Sequence, residues 1–273
     1  MRLKYFIRHI CLLCCLLLIP LLTGCDLLPN LSFSPTNQTP TASLNIWTQA
    51  APGVQVRSET WQSPSNHQLS DTVSIVRFDL HNVTLSVAYQ PNQPLSMQQW
   101  MQKEQAVALM NGGYFDSNDN ATALVISNGQ RFGTSYSGFG GMLYADGQGN
   151  IHLRSLSAQP YNPSEGITQA TQCAPMLMVN GQRPPFDDSS DKASPRSVAA
   201  IDKQGHLLLI ASPDMDFTLA DMATLLSHSD LNLVNALNLD GGSSTGLFVN
   251  AGNQSINIDS YVNLPLVIVV KEK

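Results

Sequence analysis

The chain has 273 residues, 43% of them hydrophobic, and a formal net charge of -6 that includes a basic amino-terminal segment, so the remainder is more acidic still. An acidic chain with no Lys/Arg cluster beyond its first residues lacks the electrostatic footprint of a nucleic-acid binder, and no nucleic acid is expected as a partner. His67, His81, His152, His206 and His228 are scattered without the spacing of zinc ligands, so no metal site is expected from histidine.

Arg2, Lys4 and Arg8 precede an apolar run from about Ile10 to Leu22, the profile of a secretory signal. The run is broken by Pro20 and falls short of the roughly 20 apolar residues that span a bilayer. It ends in Leu22-Thr23-Gly24-Cys25, which resembles a bacterial lipobox; the alternative is an ordinary cleaved signal beside an incidental cysteine. The resemblance implies cleavage before Cys25, diacylation of its thiol and acylation of the new amino terminus, a palmitate-type membrane anchor. Asp26 resembles the signal for retention at the inner membrane of a two-membrane cell. The expected layout is a signal peptide over residues 1–24, a lipid-anchored tether over 25–42 and one domain over 43–273, facing the periplasm in the cell envelope. Pro, Asn, Ser, Thr and Gln dominate the tether and give it nothing to pack. Cys11, Cys14 and Cys15 leave with the signal and Cys25 carries lipid, so Cys173 has no disulfide partner and a sizeable core must hold the domain. Gln172, Ala174 and Pro175 offer Cys173 no base or positive charge, which reads as a buried structural thiol.

Within the domain, alternation predicts strands over Val73 to Leu80 and Val83 to Tyr89, joined as a hairpin at His81-Asn82. Ser96 can cap a short helix with Met97, Trp100 and Met101 on one side, running into a strand-like stretch from Ala106 to Met110. Strands then precede Asn128-Gly129, Asp146-Gly147 and Asn180-Gly181. Ser197 to Ile201 and Leu207 to Ile210 flank a turn at Lys203-Gln204-Gly205. Thr218 caps a helix with an apolar stripe of Leu219, Met222, Leu225 and Leu226, and Leu233 to Leu239 is a further apolar segment. Strict strand–helix alternation is missing, so the expected fold is α+β: a single domain with a mixed, mainly antiparallel curved sheet and two or three helices packed on it.

Three stretches carry candidate chemistry. In Asn111-Gly112-Gly113-Tyr114-Phe115-Asp116, paired glycines either make a tight turn or bring backbone N–H groups close to a ligand oxygen. Arg196, in Ser194-Pro195-Arg196-Ser197, either clamps a phosphate or carboxylate or forms a surface ion pair. Asn238-Leu239-Asp240-Gly241-Gly242-Ser243-Ser244-Thr245-Gly246 sets a carboxylate, glycines and three hydroxyls at the end of an apolar strand, a rim suited to sugar and phosphate. Its Gly242-x-Ser244-x-Gly246 also matches the serine-hydrolase elbow, but Leu247-Phe248-Val249 reads as a strand where a helix should follow, and no histidine lies beyond His228. Asp and Asn oxygens beside such a loop could hold calcium or magnesium, although no spacing argues for it and no cofactor is assigned.

Together with Ala174-Pro175-Met176-Leu177-Met178-Val179-Asn180-Gly181, these phrases resemble the phosphodiester glycosidase family, which includes the enzyme that uncovers mannose 6-phosphate on lysosomal proteins. Ala174 stands where the family often has Gly, and Ser197 where it often has Thr. The resemblance implies hydrolysis of a sugar-1-phosphodiester in an envelope or extracellular glycan. Asp240 would orient the sugar or activate water, Arg196 would neutralise the departing phosphate, and Asn111 would complete the catalytic set. Gly112, Gly113, Tyr114, Gly241, Gly242, Ser243, Ser244 and Thr245 would bind the diester. Two alternatives stand: a non-catalytic envelope lipoprotein that binds glycan, and a glycosidase acting on phosphate-free polysaccharide through a second carboxylate among Asp116, Asp119, Glu165, Asp187 and Asp188.

Overall fold

The computed structural model describes residues 45–187 and 189–273. The expected signal peptide, Cys25, Asp26, the tether and the domain start at Ser43 lie outside those residues, as does Asp188. In chain order the elements are β1 (Thr48–Ala51), β2 (Val54–Gln62), β3 (Ser70–Phe78), β4 (Val83–Tyr89), α1 (Met97–Glu104) and β5 (Ala108–Asn111). Next come β6 (Val125–Ser127), β7 (Gln130–Phe132), β8 (Gly141–Ala145), β9 (Ile151–Ser155), β10 (Gln169–Cys173) and β11 (Met176–Met178). The chain then forms β12 (Ser194–Asp202), β13 (Leu207–Phe217), α2 (Leu219–His228), β14 (Leu233–Asn238), β15 (Leu247–Ala251), β16 (Gln254–Ile258) and β17 (Leu266–Glu272).

The strands form three sheets, ordered β1-β2-β3-β13-β12-β14-β11, β7-β6-β10-β8-β9 and β16-β15-β5-β17-β4. Every strand pair among the described residues is antiparallel. The expected mainly antiparallel pairing and the two helices are found among the described residues, whereas the expected single sheet of an α+β domain is corrected to several sheets in a mainly β architecture. The expected β3–β4 hairpin is also overturned. β3 pairs with β2 and β13, whereas β4 pairs with β17 in another sheet. The turn between them, where Asp79 Oδ1 accepts from His81 N, passes the chain from one sheet to the next.

One apolar cluster joins the inward faces of all three sheets, with Val76 and Phe78 from the first, Val125 and Leu143 from the second, and Met110, Leu247 and Ile268 from the third. The opposite face of the seven-stranded sheet, including Ile75, Val198 and Ile210, packs on Met222 and Leu226 of α2. β12 and β13 are thus covered on both faces, which is why they read as near-continuous apolar runs. Helix α1 lays Met97 and Trp100 against Leu109, Val267 and Val269. Capping boxes, Ser96 with Gln99 and Thr218 with Asp221, start the two helices and contribute about 1 kcal/mol each.

Candidate active site

The site lies where β5, β12 and β14 end. Asp240 N donates to Gly112 O at 3.1 Å, Leu239 N to Ser197 O at 2.9 Å, and Asn111 N to Gly246 O at 3.2 Å, so the Asp-Gly-Gly turn is tied to two sheets at once. Asn111, 1% exposed, completes the junction: its Nδ2 donates to Asp240 O at 2.6 Å, and its Oδ1 accepts from Ser197 Oγ at 2.7 Å and Gly246 N at 3.1 Å. Its amide is spent on protein groups, so Asn111 acts on Asp240 as a positioning residue and does not face a ligand as expected. Asn111→Ala strands the Ser197 hydroxyl and the Gly246 amide in a dry interior. The expected result is a loss of about 1–3 kcal/mol in denaturant unfolding, with turnover falling through a displaced Asp240.

The amides of Gly112 and Gly113 are likewise committed, to Leu266 O at 3.0 Å and Thr171 Oγ1 at 3.2 Å, and do not cradle a ligand. These glycines serve close packing instead. A Cβ on Gly113 would sit 2.3 Å from Gln172 O, and one on Gly112 2.6 Å from Leu266 Cγ.

Asp240 is half-buried, and burial pushes its carboxyl up to about 6, against the hydrogen bonds from Ser244 and from Gly241 N that favour the charged form. The Tyr114 hydroxyl lies close by: it donates to Ala174 O at 2.8 Å and accepts from Asn238 Nδ2 at 3.0 Å. Burial, with the Asp240 carboxylate adding to it, pushes the phenol upward, so Tyr114 stays a neutral donor. Cys173 is fully buried and its thiol is pushed up by burial, the chemistry of an inert structural cysteine.

After Asp240, the turn is a single 3-10 turn, Gly242–Ser244, with Gly242 at φ +59°, and it leads into strand β15 rather than a helix. That geometry is unlike a nucleophile elbow. Gly241 N is bonded to Asp240 Oδ1, and Ser244 N and Thr245 N to the carbonyls of Gly241 and Gly242, which leaves the Gly242 and Ser243 amides as the donors the turn can offer. Ser243 is exposed, whereas Ser244 and Thr245 are buried. Thr245 Oγ1 and Asn238 Oδ1 are buried without a partner. Each of these two atoms, on residues within five positions of Asp240, can still accept a hydrogen bond. Asn238 was not singled out from sequence, although its place two residues before Asp240 on an extended segment sets both side chains on one side.

Arg196 is placed elsewhere. Side chains alternate along β12, so while Ser197 turns to Asn111, Arg196 points to the opposite face, towards α2. There its Nη2 meets both oxygens of Asp191 at 3.0 and 2.9 Å and Lys192 O at 2.6 Å, and its Nε donates to Phe217 O at 2.9 Å. The expected phosphate clamp is corrected to an internal anchor, because the guanidinium is consumed by the 191–192 segment and the end of β13. Among the other carboxylates, Glu165 is gripped by Arg154 at 2.7 and 3.0 Å, and Asp116 caps its own turn by accepting from Asn118 N and Asn120 N, a turn that also holds Asp119. Asp187 lines a cavity of about 870 Å3 that begins at Tyr114, Ala174 and Pro175.

The phosphodiester glycosidase (NAGPA) family model matches residues 104–270, more than half of the chain and all three candidate stretches. No curated protein matches. Among solved structures, the chain is similar to the catalytic domain of zebrafish N-acetylglucosamine-1-phosphodiester alpha-N-acetylglucosaminidase, auto-inhibited by its pro-peptide, with a TM-score of 0.65 and 19% identity over 82% of this chain and 87% of that one. It is also similar to a hypothetical protein from Synechocystis, with a TM-score of 0.57 and 16% identity over 80% of this chain and 62% of that one. At such identities the structural likeness speaks to fold alone.

Proposed function

From a chain that belongs to the phosphodiester glycosidase family, we propose a hydrolase that cleaves a sugar-1-phosphodiester, with Asp240 as its general base. The observation that carries this reading is the Asp240 carboxyl, half-buried on a backbone fixed by Asn111, Gly112 and Ser197 and pushed up to about 6. A base of that strength is matched to proton transfer near neutral pH. Water attacks the anomeric carbon, its proton passes to Asp240, and the bond from that carbon to the phosphate oxygen breaks. The products are the free sugar and a phosphomonoester that carries away the bonding pair. A phosphate with a second pKa of about 6 leaves without a strong acid behind it. Its charge meets the Gly242 and Ser243 amides and the Ser243 hydroxyl, since Arg196 is engaged on the other face. The unpartnered Asn238 Oδ1 and Thr245 Oγ1 are suited to hold a sugar hydroxyl and the attacking water.

The deciding experiment is release of free sugar from a panel of sugar-1-phosphodiesters. Turnover that disappears in Asp240→Asn is the expected result. Saturable glycan binding without turnover would replace the reading with a binding lipoprotein, and turnover of phosphate-free glycans with a polysaccharide glycosidase. Export and anchoring through Cys25 at the periplasmic face of a membrane belong to the same proposal, supported by the lipobox-like sequence. Labelled palmitate should enter the wild type and not Cys25→Ser.

A further inference from the structure

The cavity of about 870 Å3 beside Tyr114 is walled by Tyr136, Phe139, Met176, Pro184, Pro185 and Phe186. Among the described residues no Lys, Arg or His lines it, and Asp187 is the one carboxylate that does. An anionic group gains nothing there, so a phosphate held by the Gly242 and Ser243 amides stays outside while its ester substituent enters. The polar side chains along the cavity are largely occupied already. The Tyr114 hydroxyl is held between Ala174 O and Asn238, Ser157 Oγ donates to Gly138 O at 2.7 Å, and Asp187 Oδ1 accepts from Ser189 N and Oγ. A sugar entering this space would find few free partners for its hydroxyls, Ser155 Oγ and Asp187 Oδ2 among them, whereas an apolar chain gains about 25 cal/mol for each Å2 it buries.

The walls are also built in advance. Gln172, 1% exposed, accepts from Tyr136 N at 2.9 Å and donates to Ser135 Oγ at 2.9 Å, fastening the loop that carries the aromatic pair. Tyr136 and Phe139 stack with centroids 4.5 Å apart, and Phe139 remains 52% exposed at the rim. The volume suits a drug-sized group.

We propose that this cavity is the leaving-group subsite and that it takes a prenyl chain, making the substrate a sugar joined through one phosphate to an isoprenoid lipid; this rests on the sugar-1-phosphodiester reading above. The cavity begins at Tyr114, Ala174 and Pro175, and the Tyr114 hydroxyl is bonded to Asn238, two residues before Asp240, so an ester chain leaving the site by this route meets a mostly apolar wall from its first carbons. An isoprenoid alcohol suits such a wall, whereas a diacylglycerol presents polar ester groups at that depth. Hydrolysis at the anomeric carbon then releases free sugar and a prenyl monophosphate, with water supplying the new sugar hydroxyl.

The full chain is to be tested on glucosyl, mannosyl and N-acetylglucosaminyl 1-phosphates esterified with methanol, with the 6-hydroxyl of glucose, or with geraniol. Geranyl esters should exceed methyl esters in kcat/KM by at least roughly tenfold. In a Phe139→Ser/Phe186→Ser double variant that ratio should fall towards one. Equal rates for methyl and geranyl esters, or a preference for the glucose ester, would overturn the prenyl assignment while leaving the diester chemistry standing. If no diester turns over, the diester reading fails by itself, and titration with geranyl monophosphate against inorganic phosphate decides the cavity. Saturable geranyl phosphate binding that the double variant loses supports it, and binding no tighter than inorganic phosphate sinks it.

Discussion

Asp240→Asn should lower kcat on a sugar-1-phosphodiester by at least about 10^3-fold and yet make the folded domain more stable at neutral pH. The two effects have one cause. Burial raises the folded-state pKa of Asp240 from 3.8 to about 6, so above that pH the native protein holds a carboxylate that the unfolded chain would hydrate better. For a group raised in this way, the stability its proton brings is full below about 3.8 and is lost as pH rises through 6. An asparagine does not titrate and escapes the loss. With one pKa unit worth about 1.4 kcal/mol and a carboxyl that is only half-buried, the variant should gain about 1–3 kcal/mol, or roughly 2–8 °C in Tm, at pH 7.5. The gain should shrink between pH 6 and 4 and vanish below that. Thermal melts across this range check the stability half. For activity, a base with this pKa gives a wild-type kcat/KM that climbs with pH up to about 6 and then levels. A profile that instead falls above 6 would reassign Asp240 as the proton donor to the departing phosphate.

The parts of this fold that depend on local chemistry were legible in the sequence, and the parts that depend on pairing were not. Asn128-Gly129 and Asn180-Gly181 turn with positive φ at both residues, 51° and 79° in one and 50° and 77° in the other, a demand that two residues satisfy by themselves. The caps at Ser96 and Thr218 are local in the same sense. Which strands pair is fixed by contacts far apart in the chain, so the sequence placed β3 and β4 correctly and joined them wrongly. Strand β17 went unnoticed because its first five residues are all buried and leave no alternation to read. The site divides along the same line. Asp240 and Tyr114 stand out because a carboxylate before paired glycines and an aromatic after them are unusual at strand ends. That the Gly112 and Gly113 amides are spent on Leu266 and Thr171 is a property of the junction between sheets, visible only once the sheets meet. The departures from the family pattern now have physical reasons: Ser197 keeps the hydroxyl that Asn111 needs, and Ala174 acts through its carbonyl, which any residue supplies.

Arg196→Ala should destabilise the domain by about 2–4 kcal/mol while the molecules that remain folded keep turnover within about tenfold of wild type. Arg196 is 6% exposed, and its removal leaves the Asp191 carboxylate, the Lys192 carbonyl and the Phe217 carbonyl without their shared donor. Asp191 also accepts from Leu219 N at the start of α2, so the damage spreads to that helix terminus. Only backbone separates Arg196 from Ser197, and the Ser197 hydroxyl bond to Asn111 lies on the opposite face, so the geometry around Asp240 should survive. A second substitution makes the test sharper. Because a buried ion pair can be replaced whole by apolar groups at small cost, Arg196→Met together with Asp191→Leu should recover much of the stability that Arg196→Ala loses. Urea unfolding of the single and double variants measures this, with kcat taken at a temperature where each remains folded. If Arg196→Ala kept its urea midpoint and lost turnover by 10^3-fold, the guanidinium would have to leave Asp191 and meet the phosphate during the reaction, and the anchor described by the present geometry would be a resting state of the clamp.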